Sequence, residues 1–333
     1  MVYVLAEIGV NHNGSVALAR ELVDIAVRSG ADGVKFQTFK STKLAVPTAE
    51  KADYQKANTK DGDTQVEMLQ RLELSEDDFR GIKELCSKKG IDFISTPFDL
   101  ESADFLNSIG VHTFKIGSGD LTNFPLLKRV GSFGKKVILS TGMGSMAEVE
   151  AGVHHLRKNG CGEIVVLHCV SCYPTRHEDL NLRCIQTMRE KLGVAVGFSD
   201  HTVDYKASLY SICLGAAYIE KHFTKDKSMV GPDHQASLDP GELNEFVSLI
   251  RECEAILGDG VKRCRNAELN TRRAARRSLY FSRTMLAGET IGEADLSALR
   301  PNVGICPSEA EAFVGRTLKS DVRMYTPLSR DHV

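Results

Sequence analysis

The sequence predicts an α/β fold, a TIM (β/α)8 barrel over residues 1–258, followed by a small, mainly β domain over 278–333. Three observations carry this. Short apolar runs alternate eight times with amphipathic helical stretches, the count of a closed parallel barrel. Each run stops on polar or ionisable residues, as strands do when their C-terminal ends surround one pocket. After Leu257 the alternation breaks at Gly258-Asp259-Gly260, and a basic segment over 259–277 reads as a linker.

The strands read, in order, as residues 2–7, 33–37, 92–96, 113–116, 136–140, 163–168, 194–199 and 217–222. The first helix illustrates the pattern between them. Ser15 can cap it, Leu18, Leu22, Ile25 and Ala26 fall on one face, and Gly30 ends it. Further helices start near Ser75, Leu100, Phe124, Met146, Asp179, Asp204 and Pro240. The polar stretch from Thr38 to Leu74 emerges on the catalytic face of a barrel and reads as a lid. A doubly wound sheet would use fewer strands and carry a glycine-rich dinucleotide turn, which Gly9-Val10-Asn11-His12-Asn13-Gly14 does not match. The basic run from Lys262 to Arg277 reads as a solvated linker laid against an acidic surface, and the tail after it shows short strand-like pieces and turns.

Composition narrows the function. The 333 residues carry a formal net charge of −2, which argues against bulk nucleic-acid binding. No apolar run approaches the ~20 residues that cross a bilayer, and the N-terminus lacks the basic region of a signal peptide. A cytoplasmic protein with no membrane contact is expected. Nine scattered cysteines suit a reducing compartment. The single CxxC, Cys169 to Cys172, has no second pair for a structural zinc and reads as two small residues at a strand end, with a redox role as the alternative.

The strand ends bring Glu7, Lys35 with Gln37, Thr96, Lys115 with Ser118, Ser140, His168 with Ser171 and Tyr173, Ser199 with His201, and His222 to one face. Two lysines with Thr96, Ser118, Ser140 and Ser199 make an anion site for phosphate or carboxylate. Glycines at Gly117, Gly119, Gly142 and Gly144 let backbone N–H groups approach the same oxygens. His201 and His222 close the seventh and eighth runs, separated by about one helix, so a right-handed crossover sets them side by side. Two imidazoles without a third protein ligand suit an open site for Mn²⁺ or Mg²⁺ completed by oxygens. His12 and His168 are left outside that shell.

Several segments then resemble the bacterial sialic acid synthases: Ala6-Glu7-Ile8-Gly9-Val10-Asn11-His12-Asn13-Gly14-Ser15, Val34-Lys35-Phe36-Gln37-Thr38, Lys115-Ile116-Gly117-Ser118-Gly119, Gly197-Phe198-Ser199-Asp200-His201 and Glu220-Lys221-His222-Phe223-Thr224. The tail around Arg300-Pro301-Asn302-Val303-Gly304 resembles that family's C-terminal antifreeze-like (SAF) domain. The resemblance implies condensation of phosphoenolpyruvate with an N-acetylated hexosamine to a nine-carbon 2-keto acid, with release of phosphate. It implies a divalent metal on His201 and His222, manganese first, with magnesium or cobalt as alternatives. It also implies a homodimer with swapped C-terminal domains, in which Arg300 reaches the sugar's N-acetyl group. Lys35, Thr96, Lys115, Ser118, Ser140, Ser171 and Ser199 match phosphoenolpyruvate-binding positions. Gln37, Asp120, Tyr173 and Asp233 match sugar-binding ones, and Glu7 takes the catalytic place.

Two positions depart from the family pattern: Asp120 stands where glutamate is frequent, and Ser171 where some members have asparagine. Tyr54-Gln55-Lys56 resembles the lid of a subgroup that includes both sialic and legionaminic acid synthases. The primary reading is N-acetylmannosamine converted to N-acetylneuraminate. The alternative is a 2,4-diacetamido-2,4,6-trideoxymannose converted to N,N'-diacetyllegionaminate. A non-catalytic sugar-binding protein would need no metal pair, and a 3-deoxy-octulosonate phosphate synthase would need a second phosphate site.

Overall fold

A computed structural model describes residues 1–59 and 62–333. The chain divides into two compact units, Met1–Gly258 and Asp259–Val333. In the first, eight parallel strands close in sequence order into a barrel: β1 (Tyr3–Gly9), β2 (Gly33–Thr38), β3 (Asp92–Pro97), β4 (Thr113–Ile116), β5 (Lys136–Ser140), β6 (Ile164–Cys169), β7 (Ala195–Asp200) and β8 (Tyr218–His222). The helices, in chain order, are α1 (Val16–Arg28), α2 (Ser41–Leu44), α3 (Asp53–Asn58), α4 (Gln65–Gln70), α5 (Glu76–Lys89), α6 (Leu100–Ser108), α7 (Phe124–Gly131), α8 (Met146–Lys158), α9 (Cys184–Leu192), α10 (Lys206–Cys213) and α11 (Pro240–Leu257). The TIM-barrel expectation is met.

Two cores follow from the period-2 alternation of each strand. Leu5, Ile94, Ile138, Val165 and Leu167 fill the barrel interior. Alternate residues such as Phe36, Phe114, Phe198 and Ile219 pack outward under the helices. Strand β7 shows the rule: Val196 and Phe198 face the helices, while Gly197 and Ser199 face inward. A Cβ on Gly197 would run into the Tyr218 carbonyl oxygen and approach Leu167 Cδ2 to 2.7 Å, so only glycine lets β7 and β8 lie this close. β8 also closes the barrel against β1, with Glu7 in register with His222.

The segment expected as a loop-like lid contains α2, α3 and α4. Its helices are too short to show a full apolar stripe in sequence, and of the three only α4 has an N-terminal residue whose side chain caps it. Thr64 N–H donates to Glu67 Oε2 (2.8 Å) while Glu67 N–H donates to Thr64 Oγ1 (3.3 Å), a reciprocal capping box. Residues 60 and 61 of that stretch lie outside the described residues. The helix expected near Asp179 begins at Cys184, because Asn181 adopts φ +46° and interrupts the turn. The one expected near Asp204 begins at Lys206, whose N–H donates to the Asp204 carboxylate (3.1 Å).

The turn Asn11-His12-Asn13-Gly14 laces β1 to the segment after β8. Asn11 Nδ2 donates to the Phe223 carbonyl (2.8 Å) and Ser237 Oγ (2.9 Å). Asn13 Oδ1 lies 3.1 Å from His234 Nε2, and His234 Nδ1 lies 2.7 Å from Thr224 Oγ1. His12 Nδ1 accepts from Gly14 N–H (3.1 Å), which puts the proton of the neutral ring on Nε2.

In the second unit, β9 (Ser278–Phe281) pairs antiparallel with β10 (Leu296–Leu299) over a core of Leu279, Phe281, Met285, Ile291, Phe313, Leu318, Val322 and Leu328. The basic run is not an extended linker throughout: it contains α12 (Leu269–Ala275), whose alanines and arginines are strong helix formers. Arg263 and Arg265 pair with Asp259, an acidic partner within the same segment.

Two predictions follow from this packing. Gly197→Ala forces β7 from β8 and is expected to cost about 3 kcal/mol or more in urea unfolding. An unchanged midpoint would show that the strands can separate freely. Burial also holds the His12 imidazole down to about 4. An unfolded histidine titrates near 6.5, so between those values the unfolded chain binds more protons and stability falls as pH drops. His12→Gln is expected to remove on the order of 2–3 kcal/mol of the stability lost between pH 7 and pH 4. Identical pH profiles for wild type and variant would contradict this.

Candidate active site

A cavity of about 540 Å³ opens at the C-terminal ends of the strands. Its floor is a buried charge cluster built by register. Lys35 Nζ lies 3.1 Å from Glu7 Oε1 and 3.5 Å from Glu220 Oε2. Lys115 Nζ lies 3.7 Å from the same Glu220 oxygen and donates to Ser140 Oγ (2.6 Å). Ser199 Oγ donates to Glu220 Oε1 (2.7 Å). All four charged side chains are buried.

Their environments push the two carboxyls apart. Burial raises Glu7 to about 7, against the pull of Lys35. Burial also acts to raise Glu220, but Lys115, Lys35 and the Ser199 hydroxyl outweigh it and hold the acid at about 2. Burial lowers Lys115, with the Glu220 charge opposing, whereas Glu220 and Glu7 together outweigh burial and keep Lys35 raised. The floor thus holds one firmly ionised carboxylate and one that exchanges its proton near neutrality, the usual division between a charge partner and an acid–base group.

Around this floor stand groups that donate to oxyanions. Thr96 Oγ1 is buried without a partner among the described residues. Ser118 Oγ accepts from Gly142 N–H (3.0 Å). A Cβ at Gly142 would collide with Ser171 Oγ and stand 2.9 Å from Ser118 Oγ, so glycine is what brings backbone and hydroxyls together. Met143 beside it takes φ +64° and lines the cavity.

On the other side, the His201 and His222 ring centroids are 5.7 Å apart. His201 Nδ1 donates to the Val170 carbonyl (2.8 Å), which fixes its tautomer and leaves the Nε2 lone pair unprotonated, with Ser199 Oγ 3.4 Å away. His222 Nδ1 is buried without a hydrogen-bond partner and lies 4.0 Å from Asp233 Oδ2. Among the described residues no cluster of three or more His, Cys, Asp or Glu could hold a metal. Two imidazoles with unspent lone pairs therefore fit a divalent ion whose other positions are taken by water and substrate oxygens. Tyr173 packs on His201 at 4.1 Å between centroids, and Tyr54 from α3 stacks on Tyr173 at 5.1 Å. Asn58 Nδ2 donates to the Pro232 carbonyl (2.9 Å), tying α3 to the loop that bears Asp233.

Of the residues singled out in sequence, the cavity brings together Glu7, Lys35, Gln37, Thr96, Lys115, Ser118, Ser140, Ser171, Tyr173, Ser199, His201, His222 and Asp233. Asp120 stands apart from this set. It sits on the same turn as Ser118 but does not line the cavity, and its carboxylate accepts from Asn123 Nδ2 (2.8 Å). Arg300 belongs to the second unit, exposed just after β10. His168 turns away to the Leu180 carbonyl (2.6 Å). The cysteines are free; Cys169 lines the cavity and Cys172 is exposed. Sequence reading missed Glu220. The signal was present, since a residue two before His222 shares its strand face.

Among the described residues, no helix is long and apolar enough to cross a membrane. Comparison with known proteins completes the description. The NeuB family model matches residues 22–262 and the SAF domain model residues 276–333. The chain is 44% identical to an N,N'-diacetyllegionaminic acid synthase of Legionella pneumophila, over 99% of this chain and 94% of that protein. It is 43% identical to an enzyme of the same name from Campylobacter jejuni, over 94% of each. A crystal structure of the N-acetylneuraminic acid synthetase of Leptospira borgpetersenii superposes with a TM-score of 0.72 at 33% identity, covering 81% of this chain and 90% of that one. The chain belongs to the NeuB family and carries a C-terminal SAF domain.

Proposed function

We propose that this enzyme condenses phosphoenolpyruvate with 2,4-diacetamido-2,4,6-trideoxymannose to form N,N'-diacetyllegionaminate and phosphate. The observation that carries the choice of sugar is the near full-length likeness to two N,N'-diacetyllegionaminic acid synthases. This reverses the order of the two sequence readings. N-acetylmannosamine is the second candidate, favoured by the likeness to the Leptospira sialic acid synthetase.

In this reading Lys35 and Lys115 hold the carboxylate and phosphate of phosphoenolpyruvate, with Thr96, Ser118, Ser140, Ser171 and Ser199 donating to its oxygens. Gln37, Tyr173 and Asp233 face the open-chain sugar. His201 and His222 hold a divalent ion, manganese first, and when bound it supplies a Lewis acid for the aldehyde oxygen. C3 of phosphoenolpyruvate forms the new bond to the aldehyde carbon as the C=O π pair moves onto the aldehyde oxygen. That oxygen takes a proton from solvent to become a hydroxyl, and cationic character develops at C2. Glu7, with its raised pKa, stabilises that charge and takes a proton from the water that adds at C2. The tetrahedral carbon then expels phosphate by C–O cleavage and becomes the ketone. Glu220 keeps both lysines charged and aimed at the anion. The proposal includes a cytoplasmic homodimer with exchanged C-terminal domains, in which Arg300 serves the sugar of the other subunit.

Phosphate release measured with both sugars tests the substrate. The diacetamido sugar is expected to give a kcat/KM at least about tenfold higher, and turnover of N-acetylmannosamine alone would overturn the reading. His222→Ala is expected to lower metal-stimulated phosphate release by roughly 100-fold or more, with bound Mn²⁺ lost in elemental analysis. Full activity with metal retained would place the ion elsewhere.

A further inference from the structure

The cavity has two chemically unlike walls. One is the strand-end wall of charges, hydroxyls and imidazoles described above. The opposite wall is apolar: Val10, Leu44, Met68, Leu69, Leu72 and Phe98 all line it. These six belong to a satellite hydrophobic cluster formed where the lid helices meet the barrel, separate from the main core. Val10, Met68, Leu69 and Leu72 are buried, yet they border the cavity as well as one another. The lid's own core is therefore open towards the substrate space.

The six side chains of that wall carry no hydrogen-bonding group, although Tyr54, Gln55 and Gln65 of the lid line the same cavity. A sugar hydroxyl pressed against it would give up its water without a replacement partner, at about 1–3 kcal/mol for each unpaired group. A methyl group placed there gains roughly 0.8 kcal/mol by leaving water. The two candidate sugars differ in this respect. N-acetylmannosamine carries hydroxyls at C4 and C6, whereas the diacetamido-trideoxy sugar carries a bare methyl at C6 and at C4 an acetamido group, whose methyl meets the wall while its N–H and C=O are left to the polar lining. The reacting aldehyde must lie at the imidazole pair, beside the anion site, so the far end of the sugar is left to meet the remaining wall.

We infer that the apolar wall formed by Val10, Met68, Leu72 and their neighbours selects the sugar, by receiving the C4 acetamido methyl and the C6 methyl. This rests on the proposed substrate and adds the residues that discriminate it. Met68→Gln and Val10→Thr each introduce hydrogen-bonding groups at nearly constant volume, and Met68→Leu keeps the wall apolar. The measured quantity is the ratio of kcat/KM for the diacetamido-trideoxy sugar to that for N-acetylmannosamine. The ratio is expected to fall about tenfold in Met68→Gln and in Val10→Thr, and to hold within about twofold in Met68→Leu. If wild type prefers the diacetamido sugar but both polar variants leave the ratio unchanged, or slow both sugars equally, the wall is lid scaffold and this inference alone fails. If wild type turns over N-acetylmannosamine alone, the proposed substrate fails and the inference with it. Val10 lies on β1's following turn and Met68 on α4, so a folding defect confined to the lid in one variant leaves the other to decide.

Discussion

Two buried ammonium groups at the mouth of the barrel set the terms for everything around them. Lys35 and Lys115 are both buried, and like charges under burial drive each other to lose protons. Glu220 resolves this by facing both, and Glu7 completes the balance from β1. Two lysines, one firmly ionised carboxylate and one that exchanges its proton near neutrality then share one floor. Ser140 and Ser199 offset part of the cost of keeping them there by hydrogen bonding Lys115 and Glu220, while Glu7 Oε2 and Glu220 Oε2 remain without a hydrogen-bond partner among the described residues. A phosphate site containing carboxylates looks paradoxical only if the lysines are assumed to stay charged without them.

This floor depends on barrel closure. Glu7, Lys35, Lys115 and Glu220 come from β1, β2, β4 and β8, so their meeting requires the strands to close in register. The tightest point of that closure is Gly197, where β7 lies against β8 without room for a Cβ. The same pairing sets Ser199 beside Glu220 and brings the two imidazoles within reach of one ion. The turn after β1 contributes from outside the cavity. Asn11 and Asn13 hold the segment after β8, and with it the loop carrying Asp233. The segment most diagnostic of the family in sequence therefore acts here as a brace, apart from Glu7 and Val10.

Legibility in the sequence followed this division. Period-2 alternation places Glu7, Lys35, Lys115, Ser199 and His222 from local pattern alone, because a strand residue's face is fixed by its parity. Glu220 obeys the same rule, since it lies two residues before His222 on the same strand face. The lid was different. α3 and α4 are held by Asn58 at the Pro232 carbonyl, by the Tyr54–Tyr173 stack and by a small apolar cluster, all between residues distant in sequence. No local period records such contacts, so the segment read as polar loop. The Asp120 carboxylate likewise takes a direction that no local period records, since its neighbour Asn123 donates to it, a choice set by side-chain rotamers. The helix in the basic segment was obscured by charge, which suggested solvation while its alanines favoured helix.

The two walls of the cavity consequently carry different kinds of information. Groups on strand ends are over-determined: moving any one of them means moving a strand against two neighbours. Such a wall suits the part of the reaction that cannot vary, namely anion capture, aldehyde activation and the handling of water at C2. The lid wall hangs on a few side-chain contacts and can change composition without disturbing the barrel. Sugar choice, which differs between relatives of the same fold and chemistry, belongs on the wall that is free to change. In this division the barrel carries the chemistry, and the lid's apolar side chains are where a change of residue would alter the sugar without disturbing the strands.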